Sequence, residues 1–222
     1  LFRDAALVAG KDLRVELRSK VTLQQVAPFA LLVLILFGIA LDPDRGILGR
    51  ASSGLYWVAV LFCALLAIQR AFAIESADGG KDALRLSGLD PAGIFLGKVG
   101  AIAAQLAALE AVLAVGVIVL YGPEVTGALL LVVTCLAATA GLAAAGTLYG
   151  VVAAGLRVRD TLLPILLLPV LAPVLIGATR AFDAALGGAP SDGWPWCGLL
   201  VAFALAYLSV GTLAFGTLLE EP

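Results

Sequence analysis

The sequence predicts an all-α integral membrane protein with six transmembrane helices, and three observations carry that prediction. Of its 222 residues, 62% are hydrophobic and 14% charged, against roughly 45 to 50% and 25% in soluble domains. Six largely apolar runs follow one another, roughly at 22 to 41, 53 to 74, 92 to 121, 125 to 155, 162 to 179 and 195 to 218. A span needs about 20 such residues, and a helix satisfies its own backbone where hydrocarbon offers no partner. The third observation is the placement of the cations. With the N-terminus in the cytoplasm, Arg3, Lys11, Arg14, Arg18, Lys20, Arg70, Lys81, Arg85, Lys98, Arg157 and Arg159 fall on or near that side, and only Arg45, Arg50 and Arg180 fall outside. This bias predicts that both termini are cytoplasmic. Trp57, Trp194 and Trp196 then stand at the outer edge, where indole rings favour the headgroup layer.

Residues 1 to 21 read as an amphipathic helix. Phe2, Ala6, Ala9, Leu13 and Leu17 fall along one face and Lys11, Arg14 and Arg18 lie opposite. Such a helix is expected to lie in the membrane plane on the anionic inner leaflet, the plainer alternative being a cytoplasmic lead-in. The first twenty residues are charged throughout, and no signal peptide is expected in them.

The first span carries Pro28 near its inner end, and LDPDRG at 41 to 46 turns the chain at the outer surface. Gly93 and Gly97 in the third span, and Gly146 and Gly150 in the fourth, stand four apart, a spacing that lets helices approach closely. The fifth span contains Pro164, Pro169 and Pro173. The last two deprive the carbonyls of Ile165 and Pro169 of intrahelical donors, so a bend or break is expected there. Two readings stand for these prolines: a hinge or pathway wall, and a static kink repaired by neighbouring helices. RAFDAALGGAPSDGW is expected to form a short outer helix that Gly187, Gly188 and Pro190 end.

Much chemistry is missing from this chain. It has no His and no Met, so it cannot ligate haem iron through either. Cys63, Cys135 and Cys197 have no metal-ligand spacing and read as packing residues. Gly80-Lys81 is followed by Asp82, and Glu75 stands where a phosphate loop needs its first Gly, so the chain itself is not expected to hydrolyse ATP. Glu110 is the one acid near the middle of a span. It is either a proton or substrate contact or a neutral, hydrogen-bonded tie between helices.

Between the second and third spans, on the cytoplasmic side, lies IESADGGKDALRLSGLDP. Asp78 is placed to cap a short helix there and Gly88 to end it, and Asp90-Pro91 to start the next one. Lys81 and Arg85 share a face at i,i+4. A short charged helix of this kind can dock into another protein.

Taken together, ESADGGKDALRLSGLDPAGIFLGK, KDLRVELRSK, GLYWVAVLF and LLPILLLPVLAPVLIGA resemble the membrane subunit of the cytochrome c maturation haem exporter, the CcmB family of the type-2 ABC exporter class. The match covers nearly the whole chain as one permease transmembrane domain, 1 to 222. The resemblance implies a bacterial cytoplasmic (inner) membrane location and a coupling helix within 75 to 90 that an ABC ATP-binding subunit grips. Asp78, Gly79, Lys81, Asp82, Leu84, Arg85 and Leu86 are its coupling residues. It further implies a haem-handling membrane subunit and a small single-span subunit as partners, with ATP held by the partner, haem handled by the complex and no cofactor bound directly. Membrane lipids surround the chain, and no nucleic acid is expected. The complex would use ATP for haem export or for release of a haem-loaded chaperone. Two other readings remain open: a type-2 ABC permease for lipid, glycan or drug, and a secondary transporter or scaffold without an ATPase.

Overall fold

A computed structural model describes residues 1–20, 22–41, 46–77, 88–154 and 159–220, and they form an all-α protein without a strand among them. The helices are α1 (Phe2–Ser19), α2 (Ala27–Ala40), α3 (Ile47–Ala77), α4 (Pro91–Tyr121), α5 (Ala128–Ala154), α6 (Arg159–Leu186) and α7 (Trp194–Glu220). A π-helical turn, Thr22–Val26, leads into α2, and a 3-10 turn, Pro190–Gly193, leads into α7.

Five of these helices, α3 to α7, are each long and apolar enough to cross a bilayer. The span expected at 22 to 41 is different. The 14 residues of α2 reach about 21 Å, short of the roughly 30 Å hydrocarbon core. Gln24–Ala40 qualifies only together with α1, from which it bends by 50°. Pro28 sits in the first turn of α2 and brings no N–H for the carbonyl of Gln24, which fits a π turn immediately before it. Across the bundle, Tyr121 donates its hydroxyl to the Leu34 carbonyl at 2.7 Å, fastening α2 to the end of α4.

At the centre stands α5, packed against α3, α4, α6 and α7. Its composition explains the position: Leu142, Ala143, Ala144 and Ala145 are fully buried, and small side chains let four neighbours close around one helix. Gly146 and Gly150 receive the side chains of Ile68 and Phe72, which stand one turn apart on α3. The other glycine pair receives backbone. A Cβ on Gly93 would lie 2.9 Å from the Leu1 carbonyl oxygen, and one on Gly97 would lie 2.6 Å from that of Ala5, so α1 rests directly on the start of α4.

Two expectations are corrected. First, of the bend or break expected at the prolines of α6, the break is absent: the helix runs from Arg159 to Leu186. The expected outer helix is the last part of α6, which stops where Gly188 takes φ 83°. Pro169 and Pro173 lie on its exposed side with Ile165 and Ile176, while Leu167, Leu171 and Val174 face the core. Second, Trp57 is not an edge anchor. It is 1% exposed, edge-on to Tyr56 at 5.3 Å and to Phe182 at 5.2 Å. Trp194, by contrast, is exposed. The face that α1 packs on the bundle is not its apolar one. Phe2 and Leu17 are exposed, while Val8 is buried and Asp4, Asp12 and Glu16 face inward.

Candidate functional site

Asp78, Gly79, Lys81, Asp82, Leu84, Arg85 and Leu86, the residues expected to couple to a partner, lie outside the described residues. What the structure gives is their frame. In sequence they stand between the end of α3 and the start of α4, helices of 31 residues each. Gly88 takes φ 69° after the segment. Asp90 then caps α4 as its sequence predicts, accepting the Ala92 N–H at 3.0 Å with Pro91 in the first turn.

Charged contacts join α1 to this frame. Asp4 accepts the backbone N–H of Asp90 at 3.3 Å. One turn beyond Val8, the Asp12 carboxylate lies 3.6 Å from Lys98 Nζ and 2.8 Å from that of its neighbour Lys11. A further turn on, Arg70 Nε donates to Glu16 Oε2 at 3.2 Å. Only 4% of the Lys98 side chain is exposed, and its ammonium stands 5.2 Å from the centre of the Phe72 ring. A cation so buried needs an anion beside it.

Helix α1 therefore has three faces, roughly a third of a turn apart at 3.6 residues per turn. Asp4, Val8, Asp12 and Glu16 meet protein, Phe2, Leu13 and Leu17 form the apolar stripe, and Arg3, Lys11, Arg14 and Arg18 the basic one. The acidic stripe was the signal a two-faced amphipathic reading passed over.

Farther along α4, Glu110 is 5% exposed. Thr139 on α5 donates to its Oε1 at 2.6 Å, and Tyr56 on α3 donates to its backbone carbonyl at 3.3 Å. The Tyr56 oxygen is also 3.7 Å from Cys135 Sγ. One residue thus links three helices, as the tie reading expects. It also borders a groove of about 570 Å³ between α4 and α5. Alanines of α4 form one wall, Val132 and Leu136 the other, and Pro123 and Val125 the outer end; among its described lining residues Glu110 is the only carboxylate, and no Lys or Arg accompanies it. Pro164, Pro169 and Pro173 are not among those lining residues. Cys135 is more than packing, since it reaches both Tyr56 and the groove, and Cys197 contacts the Thr134 hydroxyl at 2.9 Å.

Comparison with known proteins agrees with the motifs. A family model described as CcmB protein matches residues 4–221. A relative from Escherichia coli K12 named Heme exporter protein B is 34% identical, the match covering 82% of this chain and 83% of the relative. Proteins of the same name from Haemophilus influenzae and Bradyrhizobium diazoefficiens are 31% and 30% identical, covering 84% and 92% of this chain and 84% and 91% of theirs. On a match that runs almost from end to end, the chain belongs to the CcmB family.

Proposed function

We propose that this chain is the membrane permease subunit of an ABC complex for cytochrome c maturation in the bacterial cytoplasmic membrane, with both termini in the cytoplasm. It couples ATP hydrolysis by a partner subunit to haem export or to release of a haem-loaded chaperone. The observation that carries this reading is the family match over residues 4–221, together with relatives that bear the name Heme exporter protein B. ATP is held by the ATP-binding partner, which grips residues 78 to 86. Haem is handled by the complex, which includes a haem-handling membrane subunit and a small single-span subunit.

Within this assembly the chain transmits force. It has neither His nor Met to hold haem iron. The groove beside Glu110 presents a carboxylate and, among its described lining residues, no cation to meet the propionates of a porphyrin. Deleting the gene in its host tests the reading: c-type cytochromes should disappear and return when the chain is supplied in trans. Normal cytochromes in the deletion strain, with no other copy present, would overturn it.

A further inference from the structure

We propose that α1 is a charge-locked strap, in which Asp12 and Glu16 hold Lys98 and Arg70 so that the two helices flanking residues 78–87 move as one body. The inference rests on the coupling role just proposed. A push on a segment between two helices is transmitted only if both helices receive it; a hinge between them absorbs it. The described contacts of α1 address both helices. Glu16 reaches Arg70 on α3, seven residues before the helix ends, and Asp12 reaches Lys98 on α4, seven residues after it begins. Asp4 holds the backbone of Asp90 as well.

Steric fit makes the strap stiff. With α1 seated on Gly93 and Gly97, backbone meets backbone and little side-chain play separates the helices. The ion pairs then fix register along that seat, since Asp12 and Glu16 are one turn apart and a slip of one turn would leave the buried Lys98 facing Val8 or Glu16 in place of Asp12. Asp12 and Glu16 are positioning residues in this scheme, because they act through α3 and α4 and touch neither nucleotide nor cargo.

The test uses the full chain in its complex with the ATP-binding partner. The variants are Glu16→Arg, Arg70→Glu and the two combined. Three readouts are needed: co-purification of the partner, ATP turnover of the complex, and c-type cytochrome accumulation in cells lacking the native copy. Each single reversal should keep the partner and its ATP turnover but lower cytochrome accumulation by about tenfold, within the range of ordinary coupling free energies. The combined swap should restore most of it. Unchanged accumulation in the single variants overturns the strap, as does a swap that inserts and assembles yet restores nothing. Loss of the partner in the single variants would show that the contact serves assembly and not transmission. The wild-type control separates the two layers: if it neither recruits an ATPase nor supports cytochromes, the coupling role itself fails and the strap with it.

Discussion

Thr139 on α5 donates its hydroxyl to Oε1 of Glu110 on α4 at 2.6 Å, beside a groove lined mostly by apolar side chains. This bond makes the two roles open to Glu110 separable by experiment. A carboxyl that serves as a tie needs only to accept from Thr139, and an amide oxygen does the same. Glu110→Gln should therefore leave cytochrome accumulation near wild type. Thr139→Val should lower the stability of the detergent-solubilised subunit by about 0.6 to 1.7 kcal/mol, the range measured for hydrogen bonds between membrane helices. Loss of export in a well-folded Glu110→Gln protein would instead assign the proton or substrate role.

The seat of α1 gives a paired test on neighbouring glycines. A Cβ at Gly97 would lie 2.6 Å from the Ala5 carbonyl oxygen and 2.7 Å from Val8 Cβ, whereas one at Gly100 meets nothing within 4 Å. Gly97→Val should displace α1 and cost about 1 to 3 kcal/mol. Gly100→Ala should be neutral or stabilising by up to about 1 kcal/mol, the helix preference of Ala over Gly. Thermal unfolding of the two purified variants checks both, and equal midpoints would mean that α1 is not seated as described.

The prolines of α6 separate hinge from static kink. Pro169 and Pro173 face outward, away from the core residues Leu167 and Leu171. Replacing both by Ala returns donors to the carbonyls of Ile165 and Pro169 and removes no core contact. The double variant should be more stable and export normally. A variant that gains stability and loses export identifies a hinge.

Most of the architecture was legible because it rests on local rules. Asp90-Pro91 opens α4 and Gly187-Gly188 closes α6, since capping and left-handed turns depend on a few adjacent residues. The glycine pairs were legible as close approaches, but spacing cannot say that one pair takes the backbone of α1 and the other the side chains of α3. The face by which α1 meets the bundle was not legible, for a physical reason. In water the apolar stripe of a helix turns toward protein, but at a membrane it can turn toward lipid and leave a polar stripe for the bundle. Trp57 shows the same limit: its place near the start of a span suggests the headgroup layer, and only the distant Phe182 reveals that it belongs to the core.

The orientation proposed from the cation bias can be read by labelling. The chain has three cysteines, Cys63, Cys135 and Cys197, none in a disulfide, so a cysteine-free background is within reach. In it, cysteines at Asp44 and Asp192 should react with an impermeant maleimide added outside sealed cells, and one at Asp82 should react only after lysis. Labelling of Asp82→Cys in intact cells would invert the topology.

The contact with the ATP-binding partner makes the most demanding prediction. In the segment between α3 and α4, Leu84 and Leu86 are flanked by Lys81, Asp82 and Arg85. Burying one leucine contributes about 1.5 to 3 kcal/mol, whereas rim charges at a wet interface act mainly on salt-sensitive association. Leu84→Ala with Leu86→Ala should therefore weaken co-purification of the partner more than neutralising Lys81 and Arg85 together. Insertion should be intact in both proteins, since no span is altered. The purified subunit alone should show no ATP turnover and the complex should show it, which supplies the baseline for both variants. If the charge-neutralised protein loses its partner while the double-alanine protein keeps it, the grip is electrostatic and the leucines are not the contact. If both keep the partner at wild-type strength, the segment is a solvated loop, and the ATPase must be held elsewhere on the cytoplasmic face.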